Sequence, residues 1–179
     1  PDASYVISEP GRPSDAVDIS MFLPASPEFE DTIRTQSPSV PSPVSELVSI
    51  SEAVEMGSGM IIMDEEFSNP CVIRRGFLAE GEGMTSVSEL GRSMSDHGVS
   101  LVMVDESALR LADNVILMDG FTARGVDLEK NGSDAVFRVP NTRYPVSKGM
   151  SYEKGRKEVS TSAVSIRTVE VGEYKVNAP

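Results

Sequence analysis

Asp64, Glu65 and Glu66 follow directly on four apolar residues, Met60, Ile61, Ile62 and Met63. Carboxylates at the end of such a run suit divalent-cation chemistry. One acid can hold a Mg²⁺ shell, and the next can polarise the water that attacks a phosphoryl group. That chemistry needs a strand that ends at a ligand. The short unbroken run predicts a central strand covered on both faces. Open α/β sheets bind their ligands beyond the C-terminal ends of the strands, where these acids would stand. A buried strand entering a solvated acidic turn has the same pattern, so the spacing alone does not establish a site.

Other reactive side chains are few. Asp105 and Glu106 end the next apolar run and could share a cation with Asp64, but no spaced ligand set accompanies them. His97 falls at the end of a predicted helix, facing solvent or the negative dipole end. Cys71 is the one cysteine, which excludes an internal disulfide and a Cys-rich metal site. It has no adjacent base and reads as a packed thiol. Met60, Met63, Met94, Met103 and Met118 read as core residues.

The elements that would hold these residues can be traced along the chain. Ser4 to Ser8 is a short strand, and Glu9 to Pro13 a loop enforced by two prolines and a glycine. Val17 to Leu23 reads as a second strand. Pro24 to Pro43 is loop-like, rich in proline and serine, and too long for a passive connection. Ser42-Pro43 starts a helix with Ser42 as its cap. Val44, Leu47, Val48 and Val54 form its stripe, and Gly57 its left-handed stop. The Met60–Met63 strand follows. Pro70 breaks the chain, and the stretch from Gly76 to Gly83 is loose. Ser86-x-x-Glu89 is a capping box for a helix with Val87, Leu90 and Met94 inward, ended by Gly98. Ser100 to Val104 is the next apolar strand, reached by a right-handed parallel crossover. Glu106 to Ala112 reads as a short helix, and Asn114 to Met118 as a third apolar strand closed by Asp119-Gly120. The pattern changes beyond Gly125, which divides the chain into 1–125 and 126–179. In the second part Ala135 to Val139 is a strand, Asn141 to Lys157 is irregular and basic, and Val164–Val171 with Tyr174–Val176 is a hairpin about Gly172-Glu173. The order predicts an α/β fold with a mainly parallel sheet and a short β-rich extension.

With 179 residues, one core and a small appendage are expected. The formal charge of −12 disfavours broad nucleic-acid binding. That charge is uneven. From Arg138 onward there are eight Lys/Arg against four Asp/Glu, whereas residues 1–137 carry eight against twenty-four. A basic end on an acidic body hints at an interaction tail. Arg143, Lys148, Lys154, Arg156 and Lys157 are its contact candidates, with Tyr144 and Tyr152 interleaved for stacking. No apolar run reaches membrane-spanning length. No secretory signal is visible, and the chain opens on Pro1, as a processed or excised chain would.

Several spaced segments resemble one family, the ABC-class ATPases of bacterial type, over most of residues 11–125. Val17 to Ser20 matches its VDIS. Asp31 to Arg34 resembles DTTR, and Glu52 to Gly57 resembles EALEAG. Ile62 to Ser68 is similar to the Walker B strand and turn, IDEDTS. Arg75 falls on the arginine of IRD, Gly98 to Ser100 resembles GVS, and Ala112 to Asp119 resembles ADTVIMMD. The resemblance implies the back half of an ABC-type P-loop nucleotide-binding domain over 1–125. It also implies Asp64 as Mg²⁺ ligand and cofactor contact, and Glu65 as the catalytic acid. Ser42 and Glu46 fall in the signature segment that approaches nucleotide. The family has a kinetoplastid mitochondrial member that binds RNA and associates with RNA editing.

The departures are as specific. No GxxxxGK[ST] loop is present. The signature segment, SGSTSQA in the family, is Pro41 to Leu47 here, with prolines in place of amide donors and Glu46 in place of Gln. Pro70 and Cys71 replace Thr and Asn, and Asp105 to Ala108 replace a Gly-rich loop. The expected function is therefore a degenerate, non-catalytic ATPase homologue. It would act as a structural or interaction subunit of a mitochondrial ribonucleoprotein, with other protein chains and RNA as partners, without a cofactor and not at a membrane. Away from that analogy the expected place is the cytoplasm. The alternative is half of a split or cleaved ATPase. A partner would supply the P-loop, and Asp64 and Glu65 would serve Mg-ATP hydrolysis. A third reading is a cut from a longer polypeptide with an ordinary P-loop upstream.

Overall fold

The computed structural model describes residues 2–25, 31–74, 83–141, 143, 150–154, 157–161, 168–171 and 174–177. The chain forms two compact units, Pro1–Thr142 and Arg143–Pro179. In the first unit β1 is Ser4–Val6, β2 is Ser14–Val17 and β3 is Thr35–Ser37. Helix α1 covers Ser42–Glu55, followed by β4 at Met60–Asp64 and the single turn α2 at Pro70–Ile73. Helix α3 is Val87–Asp96, β5 is Ser100–Val104, β6 is Val115–Asp119 and β7 is Thr122–Val126.

Three strands make a parallel sheet in the order β1-β4-β5, so the Met60–Met63 strand is central, as expected. With α1 and α3 in the same unit, the architecture is α/β. The register aligns Tyr5 with Ile62 and Ile62 with Val102; Val6, Met63 and Met103 align on the next row. Side chains alternate across a sheet. Ile61, Met63 and Val6 are therefore buried, whereas Tyr5, Val102 and Val104 on the other face are exposed. The expectation of cover on both faces is corrected: β4 is sealed on one face only.

The core joins this face to α1 and α3. Val44, Leu47, Val48 and Ile50 of α1 are buried, as are Val87, Leu90 and Met94 of α3. Met118, read as core, is 61% exposed. It lies in the β6–β7 hairpin, which pairs only with itself among the described residues. The third apolar strand therefore exists but stands outside the parallel sheet.

Helix α3 has its capping box, with the Ser86 amide and hydroxyl both donating to Glu89 Oε2 at 3.1 and 2.8 Å. Gly57 (φ 78°) and Gly98 (φ 81°) take left-handed conformations past the helix ends, which favour glycine. At α1 the expectation needs correction. Pro41 is the cap residue and makes no side-chain cap bond, while Ser42 already belongs to the helix. A helix leaves its first amides without intrahelical partners, so Pro43 in the first turn costs nothing.

Three further expectations give way to local hydrogen bonds. Val17 closes β2, and Asp18 to Leu23 is not a strand. Ala16 (φ 54°) kinks β2, and Asp18 Oδ1 accepts from the Ser20 amide at 3.0 Å and its hydroxyl at 2.7 Å, winding the chain into a turn. Its apolar residues Ile19, Phe22 and Leu23 are still buried. Glu106 to Ala112 forms turns rather than a helix, where Asp105 accepts from the Ser107 and Ala108 amides at 3.1 and 3.0 Å. Ala135 to Val139 is not a strand, and no strand pairs with it among the described residues. Phe137 alone is buried, its amide donating to Ser93 Oγ at 3.0 Å.

The second unit contains two antiparallel hairpins. Strands β8 (Met150–Lys154) and β9 (Lys157–Thr161) pair, as do β10 (Thr168–Val171) and β11 (Tyr174–Asn177). The closing hairpin was expected, and residues 164–167 of its first arm lie outside the described residues. Strand β8 and the start of β9 correct the irregular reading of 141–157.

Candidate functional site

The C-terminal ends of β4 and β5 bring together Asp64, Glu65 and Asp105, the acids singled out in the sequence. Parallel register sets Asp64 beside Val104, and the Glu65 amide donates to the Val104 carbonyl at 3.0 Å. Arg74, directly after α2, turns its guanidinium to both strands. Its Nη2 lies 3.3 Å from Glu65 Oε2 and 3.4 Å from Asp105 Oδ1. Glu65 therefore already has a cationic partner. Asp64 Oδ1 accepts from the Glu66 amide at 3.0 Å, closing its own turn.

The Asp105 side chain is sealed from solvent. Burial pushes its carboxyl up. Bonds from the Ser107 hydroxyl and amide, the Arg74 charge and the Ala108 amide more than offset this, and its pKa ends below the usual range. The two amides lie 3.1 and 3.0 Å away. Asp105 is thus bound by its own loop. Glu106 is exposed. Among the described residues no group of three or more His, Cys, Asp or Glu side chains converges as a metal site.

Ser42 and Glu46 sit at the start of α1 and face the turn that follows β4. Ser42 Oγ lies 2.6 Å from Ser8 Oγ and accepts from Asn69 Nδ2 at 2.9 Å. Glu46 is wholly buried. Its Oε2 accepts from the Asn69 amide at 2.7 Å, while its Oε1 and the buried Ser68 hydroxyl find no partner of regular geometry. Burial pushes the Glu46 carboxyl up, against smaller lowering by Asn69 and Ser68. Asn69 completes the junction as cap of α2, its Oδ1 accepting from the Cys71 amide at 3.1 Å. Cys71 is buried beside it.

Mg-ATP is the group that the resemblance implies, and these side chains do not fit it by themselves. Glu65 is paired with Arg74, and the start of α1 presents prolines and a buried carboxyl where phosphate would need amides. Of the basic candidates, Arg143, Lys154 and Lys157 lie among the described residues, and Lys148 and Arg156 lie outside them. Strand register sets Lys154 directly opposite Lys157. His97 ends α3, as expected, with Nδ1 2.8 Å from the Ser93 carbonyl and its ring edge-on to Phe137.

Sequence reasoning missed Arg74, Ser8 and Asn69. Arg75, the arginine on the family's motif, lies outside the described residues, and its neighbour makes the bridge. Nothing in the spacing marks Arg74, because its partners come from two strands. Asn69 before Pro70 had a signal, since Asn-Pro starts helices and turns.

Comparison with known proteins accords with this geometry. The ABC ATPase P-loop domain family matches residues 1–149. No curated protein matches the chain. A match over most of the chain, with the acid-tipped central strand in place, means that this chain belongs to the ABC ATPase P-loop domain family.

Proposed function

We propose that the chain is a non-catalytic member of its family and serves as a structural or interaction subunit. The observation that carries this reading is the Arg74 bridge. The cation that engages Glu65 and Asp105 comes from the chain itself, so these two acids are paired without a bound ligand. The rewritten start of α1, with buried Glu46 behind Ser42, supports the same conclusion. Equilibrium binding of Mg-ATP to the purified chain tests it. No saturable binding is expected at millimolar nucleotide, and micromolar affinity would overturn the reading.

The proposed setting is a mitochondrial ribonucleoprotein of ribosomal or RNA-processing type. Two things support it: the excess of basic residues after Arg138, and the resemblance to a family with an RNA-binding mitochondrial member. In this reading Arg143, Lys148, Lys154, Arg156 and Lys157 meet RNA phosphate or a protein partner. Charge reversal at Lys154, Arg156 and Lys157 should release the chain from sedimenting particles in mitochondrial extracts. Unchanged sedimentation would refute the tail contact.

One observation favours the second reading, a split ATPase completed by a partner's P-loop. Asp64 and Glu65 still stand at the C-terminal end of the central parallel strand. In that case the partner would have to displace Arg74 from Glu65.

A further inference from the structure

We infer that Asn131-Gly132 is a self-modification site, where the Asn131 carboxamide closes on the Gly132 backbone nitrogen and passes through a succinimide to aspartyl and isoaspartyl products. Nothing in this chemistry depends on nucleotide or on a partner chain. The five asparagines, Asn69, Asn114, Asn131, Asn141 and Asn177, precede Pro, Val, Gly, Thr and Ala. Ring closure needs a following backbone N–H that can lose its proton and reach the side-chain carbonyl carbon. Pro70 has no N–H to lose. Val115 and Thr142 carry β-branched side chains that crowd the approach, and Ala178 still carries a Cβ. Gly132 alone leaves the attacking nitrogen unhindered and its backbone free to turn.

The structure adds three observations. Asn131 and Gly132 are both exposed, in a stretch without regular structure. Among the described residues neither the Asn131 carboxamide nor the Gly132 amide makes a hydrogen bond, whereas the Asn131 amide is held to the Arg110 carbonyl at 2.7 Å. A Cβ at Gly132 would meet no atom within 4 Å, and Gly132 is not in the left-handed region, so packing does not require glycine there. The step balances without an oxidant or reductant. The Gly132 nitrogen bonds to Asn131 Cγ, and the carboxamide nitrogen leaves as ammonia with the proton that Gly132 lost. Water then opens the ring. Opening at Cγ gives aspartate, and opening at the main-chain carbonyl gives isoaspartate. Either product adds a negative charge to a stretch that already holds Asp127, Glu129 and Asp134. Isoaspartate also lengthens the main chain by one carbon between the Arg110 and Phe137 anchors.

The test incubates the full chain at two pH values in isotopically labelled water. Its peptides are then read by mass spectrometry, with isoaspartyl forms separated by chromatography. Asn131 should convert severalfold faster than Asn114, which is also exposed. Its rate should rise with pH, and one solvent oxygen should enter the product. Gly132→Ala should slow the conversion severalfold with an unchanged melting curve. Conversion at Asn131 no faster than at Asn114 would overturn the inference. That comparison lies within the unaltered chain and decides the matter even where the variant does not fold. A rate that ignores pH, or a folded Gly132→Ala chain that converts as fast, would also overturn it. So would a glycan on Asn131 in the chain taken from its own cells, which the Asn131-Gly132-Ser133 spacing permits and which would block the carboxamide.

Discussion

Glu46 and Asp105 are both sealed from water and respond to burial in opposite ways. Asp105 receives two amides, a hydroxyl and an arginine, and its pKa falls. Glu46 receives one amide at Oε2 and nothing regular at Oε1, and its pKa rises. The two therefore shape stability at opposite ends of the pH scale. A raised folded pKa gives stability that is full at acid pH and is lost as pH rises through the raised value. Glu46→Gln removes that charging step and should stabilise the chain at neutral pH by about 1 kcal/mol, with little gain at acid pH. Urea midpoints at the two pH values read this difference, and equal gains at both would contradict it. Asp105, and Asp18 with its Asn141 and Ser20 bonds, have lowered pKa values. Their stabilisation is present above the ordinary carboxylate range and is lost as pH falls below about 4. Asp105→Ala strands the Ser107 and Ala108 amides and should cost about 2 kcal/mol at neutral pH, with a smaller cost at acid pH. A pH-independent cost would show that the carboxylate charge is not what holds the loop.

Among the elements, the segment after β7 does the least expected thing. Residues 127–141 have no regular structure, yet they are fastened along the first unit. Asn131 donates its amide to the Arg110 carbonyl at 2.7 Å, Phe137 enters the core beside α3, and Asn141 binds Asp18 Oδ2 through its amide and side chain at 3.0 and 2.6 Å. Phe137→Ala should cost about 3 kcal/mol in denaturant unfolding. A cost below 1 kcal/mol would mean that the aromatic ring is not a core member. Ser86→Ala, which removes half of the α3 capping box, should cost about 1 kcal/mol. Limited proteolysis of the Phe137→Ala chain should show earlier cleavage within 127–141 than within α3.

These elements also show how far sequence carries. Strand β4, helix α3 with its cap and the closing hairpin were legible because periodicity, a capping box and glycine breakers are local signals. Val17–Leu23 and Ala135–Val139 were misread for one shared reason. Apolar residues report what can be buried, and Ile19, Phe22 and Phe137 are buried. They do not report whether a backbone partner exists, and here the Asp18 and Ser93 side chains take backbone amides of these segments. At the candidate site, Asp64 and Glu65 were visible as acids ending an apolar run. The pairing of Glu65 was not visible, because Arg74 reaches it through a fold-dependent turn.

At the scale of the whole molecule, the first unit carries a family's central strand with one face sealed and the other bare, ahead of a basic β-rich unit. The central proposal is that Glu65, at the end of β4, is held by the chain's own arginine and does not serve nucleotide turnover. The most direct measurement is Mg-ATP hydrolysis by the chain in its native assembly, compared with Glu65→Gln and Arg74→Ala assemblies purified in parallel. The account predicts equal rates in all three, because any hydrolysis present belongs to other subunits. A loss of a hundredfold or more on Glu65→Gln alone would make Glu65 a catalytic residue and contradict the account.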